Sequence, residues 1–227
     1  MNFKAVFFDR DGTLLTGNPE IEAKKREKIE QWSGKPYKAP DYNTMMALFD
    51  KAGYPWEGHK SVESEMAFWP RYYRELLIWS GVTEQLEERA GKMFEAIWLK
   101  NLKLFPETLE VLETFRAKGF RMGVISDTSP SLKLTLKAAG IGHYFDCAIC
   151  SDLVGVEKPD PRIYQTALDA LGVQASESLY VDDYDVEADG ARALGMTAFH
   201  IDRSQQGDGK WRISSLRALV EFVEKRS

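Results

Sequence analysis

Two aspartates separated by a single arginine end the first apolar run of the chain, in the stretch VFFDRDGT over residues 6–13. Gly12 turns the chain directly after them, which breaks the period-two alternation of a strand and lets Asp9 and Asp11 face one crevice. Three more sets of reactive side chains follow later apolar runs. Ser126 and Asp127 stand in VISDTSP, Lys158 in VGVEKPDP, and Asp182 and Asp183 in YVDDYDVE, with Glu187 following. If a helix begins there, Asp183 and Glu187 lie one turn apart on one side of it.

Carboxylates gathered in this way repel one another. Two unit charges 4 Å apart cost roughly 4 kcal/mol at an effective dielectric of about 20. A hard divalent cation relieves the repulsion, and carboxylate, carbonyl and water ligands without Cys or His favour Mg2+ over zinc. Lys158 and Ser126 then remain as an ammonium and a hydroxyl suited to holding a phosphoryl oxygen. The set reads as a site that transfers a phosphoryl group to a carboxylate. Lys158 is expected at the crevice rim, where its removal would leave the fold intact.

The elements that position these residues follow from the pattern of the chain. Runs at 3–8, 121–126, 145–150, 178–182 and 197–201 are short, apolar and rich in Val, Ile and Phe, as strands buried on both faces are. Helical patterns at 129–139, 159–171 and 187–194 alternate with the last four, and the amphipathic ISSLRALVEFVEKR follows them. This alternation predicts an α/β fold with a doubly wound, parallel, Rossmann-like sheet. In such sheets ligands gather beyond the carboxyl ends of the strands, where all the residues above fall.

Residues 17–103 break the rhythm with helical patterns and no convincing strand, which predicts an inserted α-helical cap domain; residues 1–16 and 104–227 then form the catalytic core. The insertion holds Trp32, Trp56, Trp69, Trp79 and Trp98, and most of its aromatic residues are expected to pack in its own core. Pro70 is expected to kink its third helix or end it early.

Composition excludes several classes. The 227 residues are 44% hydrophobic and 29% charged, and no apolar run reaches the roughly 18–20 residues of a membrane span. The net charge is −5 with dispersed basic residues, so no nucleic-acid partner is expected. The first apolar run meets charge too soon for a signal peptide, so the cytoplasm is the expected compartment. Cys147 and Cys150, in CAIC, read as buried strand residues rather than a redox pair. His59, His143 and His200 have no partners at ligand spacing. A small phosphorylated metabolite is the expected partner, with monomer and homodimer both open.

Four motifs in order along the chain resemble those of the haloacid dehalogenase superfamily, in the phosphatase branch with a helical cap inserted after the first strand. FFDRDGTLL matches the first, VISDTS the second, VEKPDPRIY the third and YVDDYDVEADGARALG the fourth. The resemblance implies Asp9 as nucleophile, Asp11 as general acid and base, and Ser126 and Lys158 as phosphoryl-binding groups beside Asp127. It implies Asp183 as the metal-binding acid, with Asp9 and the main-chain carbonyl of Asp11; Asp182 and Glu187 are further acids near the metal. The chain departs from the family pattern at Arg10, usually apolar, at Asp182, commonly glycine, at Glu187, usually aspartate, and at Asp127, frequently asparagine. The activity implied is that of a Mg2+-dependent phosphatase working through an aspartyl-phosphate. A 2-haloacid dehalogenase would use the same nucleophile without metal or acid, and a phosphomutase would share the first step. A receiver-like phospho-acceptor domain has a similar residue set but places its acidic pair first in the chain.

Overall fold

The computed structural model describes residues 3–204 and 210–226. The chain forms two compact units, one built from the residues up to Thr16 and from Lys103 onward, the other from Gly17–Leu102.

The first unit begins with β1 (Ala5–Phe8), a run of four fully buried residues. The chain leaves it through β2 (Leu15–Gly17) and forms the helices α1 (Pro19–Ser33), α2 (Tyr42–Lys51), α3 (Val62–Trp79) and α4 (Leu86–Ile97) of the second unit. It returns through β3 (Leu102–Leu104), which pairs with β2 in a two-stranded ribbon. The first unit then continues with α5 (Thr108–Ala117), β4 (Arg121–Ser126), α6 (Leu132–Ala138), β5 (Cys147–Cys150), α7 (Ser151–Val154) and α8 (Pro161–Leu171). It ends with β6 (Ser178–Asp182), α9 (Asp185–Ala193), β7 (Thr197–Ile201), β8 (Arg212–Ile213) and α10 (Leu216–Glu224).

Six strands form one parallel sheet in the order β5-β4-β1-β6-β7-β8. The order runs outward from β1 in both directions, so this is the doubly wound α/β sheet that the strand–helix alternation predicts. Successive residues of β1 serve opposite faces. Phe7 joins Tyr180, Ile163 and Ala188 in the core under α8 and α9. Phe8 meets Phe115 of α5 edge-on at 6.1 Å on the other side. Register carries the reactive residues to one end: Phe8 pairs with Val124 and Val181, and Ser126 with Cys150. Asp9, Ser126, Asp127 and Asp182 therefore emerge side by side.

Local signals set the helix ends. Asn18 caps α1, its side chain accepting from Glu20 N, and Gly34 ends the helix with φ of 67°. Asp160 caps α8 in the same way, so the helix after Lys158 opens at Pro161 and not at Pro159.

The second unit has its own core, where Phe68, Tyr72, Tyr73, Leu76 and Leu77 of α3 meet Leu48, Met93 and Ile97. Trp32 and Trp69 pack on this core, whereas Trp56 and Trp79 are exposed. Pro70 does not end α3 early, against the second form of the expectation: the helix runs on to Trp79. Its apolar face is buried on both sides of the proline, and that packing outweighs the roughly 3 kcal/mol that an interior proline costs. The short strands β2, β3 and β8 are not marked by the sequence pattern, since two or three residues carry no readable period and tertiary pairing creates them; the ten-residue α5 is a further element outside the predicted helices.

Candidate active site

Lys158 is the centre of the constellation. Its Nζ lies 2.8 Å from Asp9 Oδ1, 2.7 Å from Asp182 Oδ2 and 2.6 Å from Glu187 Oε2. The side chain is 2% exposed, so Lys158 is a buried hub and not the rim residue expected from sequence. The strand ends explain this: β1 and β6 are neighbours, and the segment after β5 crosses above them with its ammonium pointing into their carboxylates.

Each partner is fixed in turn. Asp9 N donates to Val181 O at 2.8 Å, which ties the end of β1 to β6. Tyr180 OH donates to Asp182 Oδ2, and Tyr184 N donates to Asp182 Oδ1 at 2.9 Å. Tyr164 OH of α8 donates to the Glu187 carbonyl at 2.7 Å. Asp127 accepts from the Lys158 main-chain N at 3.0 and 3.1 Å, so it supports the lysine segment. Lys158–Pro159 is a cis peptide, and Gly190 of α9 packs on it: a Cβ at Gly190 would lie 2.6 Å from Pro159 Cβ.

Asp183 takes a different direction. Its carboxylate lies against Gly12, whose φ is +73°, and a Cβ added there would fall 2.0 Å from Asp183 Oδ2. Only a glycine leaves this room. His200 Nε2 lies 3.1 Å from the Asp183 carbonyl and holds its main chain to β7. Asp183 precedes α9, whereas Glu187 lies inside it, so the two do not share a helix face as expected. Glu187 and Asp182 both turn to Lys158. Ser126 is buried at the end of β4, where strand register places it beside Cys150. The carboxylate of Asp11 turns to the Arg10 guanidinium.

Arg203, in the segment after β7, braces the turn from beneath. It donates to Gly12 O at 3.0 Å and Thr13 O at 2.6 Å, reaches Glu107 Oε1 at 2.6 Å, and lies 3.5 Å from the Phe105 ring centroid. Sequence reasoning missed Arg203, Tyr164, Tyr180, Gly190 and His200. Two carried a signal: Tyr180 stands two residues before Asp182 and so shares its strand face, and Gly190 interrupts a helical pattern. Nothing local marked the others.

The cluster holds more negative charge than Lys158 balances. Burial dominates at Asp9 and, with Asp182 adding to it, outweighs the pull of Lys158, so Asp9 sits well above the usual carboxylate range. Burial likewise raises Glu187. It pushes Asp183 up to about 6, helped by Asp182, and Asp127 up to about 6. Burial opposes the Lys158 ammonium, yet Asp9, Asp182 and Glu187 together hold its pKa above the ordinary lysine range.

A divalent cation fits such a place. Among the described residues no three His, Cys, Asp or Glu side chains are grouped so as to hold a metal ion by themselves. Mg2+ does not need one, since it is held by one or two carboxylates and keeps several waters. The cradle left by the missing Cβ of Gly12 brings the Asp183 carboxylate to the Asp11–Gly12 backbone. Asp9, Asp183 and the Asp11 carbonyl supply hard oxygen donors only, as Mg2+ prefers.

Comparison with known proteins agrees with the fold. The family model for haloacid dehalogenase-like hydrolases matches residues 3–195, and the chain belongs to that family. It is similar to a phosphoserine phosphatase of Thermus thermophilus, 31% identical over 88% of this chain and 89% of that protein. It is also similar to an (S)-2-haloacid dehalogenase of a Pseudomonas species, 34% identical over 53% of this chain and 55% of that one. A solved haloacid dehalogenase-family phosphatase from Thermococcus onnurineus superposes with a TM-score of 0.66 at 26% identity, covering 97% of this chain and 98% of its own. The chain is thus an enzyme of the hydrolase class, and the Thermus and Thermococcus phosphatases resemble it along most of its length. Among the described residues no helix is long and apolar enough to cross a membrane.

Proposed function

We propose that the protein is a Mg2+-dependent phosphatase that hydrolyses a small phosphorylated metabolite through an aspartyl-phosphate on Asp9. The observation that carries this reading is the arrangement at the end of β1: Asp9 held through Oδ1 by Lys158, Asp11 two residues on, and Asp183 seated over Gly12. Asp9 attacks phosphorus as the bond to the leaving oxygen breaks, and Asp11 gives that oxygen a proton. Asp11 then takes a proton from water, whose oxygen attacks phosphorus, breaks the acyl phosphate and restores Asp9. Lys158 leaves the second Asp9 oxygen for attack, and its ammonium opposes the rise in pKa that burial imposes on the nucleophile. Asp9, Asp183 and the Asp11 carbonyl would hold the cation, which supplies charge neutralisation for the phosphoryl oxygens. Ser126, with Lys158, binds the phosphoryl group.

Phosphoserine, named for the Thermus relative, exemplifies the substrate class. The reading keeps the cytoplasm as compartment, where the free thiols Cys147 and Cys150 stay reduced, and allows a monomer or homodimer. The match to a haloacid dehalogenase over about half of the chain supports a second reading, displacement of halide by Asp9. That chemistry has no use for the Asp11 acid or for the seat of Asp183.

The test uses p-nitrophenyl phosphate and 2-chloropropionate. Phosphate release that needs Mg2+, stops with chelator and returns with Mg2+ is expected, without chloride release. The Asp11→Asn variant should give a burst of nitrophenol stoichiometric with enzyme, then a slow steady state, since loss of a general base costs about 10²–10⁴ in rate. Acid-quenched protein should carry alkali-labile phosphate on Asp9. Metal-free turnover at the full rate, or a label on another residue, would sink the reading.

A further inference from the structure

Arg10 stands between the two aspartates of the first loop, and its guanidinium is committed in a specific way. Nε donates to Asp11 Oδ1 at 3.0 Å and NH2 to Asp11 Oδ2 at 2.6 Å, a bidentate fork across one carboxylate. The same NH2 donates to Thr128 Oγ1 at 2.9 Å, in the loop after β4. Thr128 is anchored in turn, because its N donates to Ser151 Oγ at 3.0 Å at the start of α7. The Arg10 side chain is 10% exposed, that of Asp11 51%.

Exposure and anchoring run opposite to what a surface ion pair shows. A carboxylate half in water on a turn samples several rotamers, and an exposed ion pair contributes little because both partners move. Here one partner is buried, and besides the fork itself the bond from its NH2 to Thr128, in a second loop, sets its plane. A planar fork fixed in that way leaves a carboxylate one orientation, since rotation of Asp11 breaks both bonds together. The line Ser151–Thr128–Arg10–Asp11 thus joins the loops after β5, β4 and β1 and ends on the group assigned above to proton transfer.

We propose that Arg10, seated on Thr128, is a positioning residue for Asp11 in proton transfer. The proposal rests on the phosphatase reading of the site. Among the described residues the Arg10 side chain bonds Asp11 and Thr128 and not the nucleophile Asp9; it acts by holding the acid and base where leaving oxygen and water arrive. Misplacement of a reacting group by about 1 Å can cost 10²-fold, which sets the scale of the effect.

The experiment is a double-mutant cycle on the full chain with Mg2+ and p-nitrophenyl phosphate. Arg10→Leu should lower kcat about ten- to a hundredfold with KM little changed. In the Asp11→Asn background the same change should have no further effect, because there is no acid or base left to position. Arg10→Lys, which keeps the charge but loses the fork, should recover only a small part of the loss. Thr128→Val should show a smaller loss, and Thr128→Ser should restore the parent rate. If Arg10→Leu leaves kcat within twofold, or lowers it equally with and without Asp11, Arg10 only ties the loops together and the proposal falls. If Asp11→Asn itself costs nothing, the phosphatase reading fails first, which separates the two failures. Crystals of Arg10→Leu give a readout that needs no turnover: the Asp11 carboxylate should lose its single orientation, and an unchanged, ordered Asp11 overturns the proposal.

Discussion

Replacing Lys158 by Met removes one charge from the point where three carboxylates meet. Each oxygen lies within 2.8 Å of Nζ, so any two of them are at most about 5.5 Å apart. At that distance two unit charges repel by roughly 3 kcal/mol at an effective dielectric of about 20. The three pairs cannot all persist ionised in a buried site, and protonation limits the damage. Breaking a buried ion pair from one side costs about 3–5 kcal/mol, and we expect Lys158→Met to fall in that range at pH 8 in chelator. For a chain of this length that is a drop in Tm of about 6–20 °C. The dependence on pH follows from the direction of the shifts. Burial already holds Asp9 and Glu187 above the usual carboxylate range, and the variant loses the ammonium that opposed it. A carboxyl whose folded pKa lies above its unfolded value, near 4, destabilises the native state only above that unfolded value, increasingly as pH rises towards the folded one. The deficit against the parent should therefore be small near pH 5 and largest at pH 8. Thermal melts of parent, Lys158→Met and Lys158→Met/Asp182→Asn at both pH values check this, the double variant recovering part of the loss. A Lys158→Met protein that melts within about 2 °C of the parent at pH 8 would refute the account of Lys158 as a buried hub.

Other outcomes follow from single contacts. Gly12→Ala would put its Cβ 2.0 Å from Asp183 Oδ2 at a φ of +73°. It should cost about 1–2 kcal/mol in stability and move Mg2+ activation to at least about tenfold higher concentration; superimposable Mg2+ titrations would contradict the cradle. Arg203→Leu removes the cation that pairs with the buried Glu107 carboxylate, leaving it Ser215 as a hydroxyl donor, and frees the Gly12 and Thr13 carbonyls, so urea denaturation should show a loss of about 2–3 kcal/mol. Adding Glu107→Gln should recover part of it, and strict additivity would show that the two do not act together.

The sequence determined by itself where the sheet lies and which residues stand at its strand ends. Strand signals are local: apolar β-branched and aromatic runs of four to six residues, closed by Gly, Pro or Asp, identify β1, β4, β5, β6 and β7 without reference to anything distant. Once the sheet is parallel and doubly wound, the chirality and order of its crossovers bring Asp9, Ser126, Lys158 and Asp182 to one side. The helical insertion is legible for the same reason, since helical patterns follow one another there with no apolar strand-like run between them.

What each charge pairs with was decided only by the tertiary structure. Lys158 reads as a rim residue because lysines are usually solvated, yet it is buried: its three partners come from two other strand ends and a helix that no local pattern connects to it. Asp183 and Glu187 look equivalent in sequence, but the space over Gly12 accepts one while Lys158 draws the other. Arg10 could equally have faced solvent, and the hydroxyl of Thr128, remote in sequence, gives it a direction. Helix α3 passing through Pro70 follows the same rule. Local propensities are worth about a kilocalorie per residue, whereas burial and ion pairing, which depend on residues far apart in the chain, are worth several.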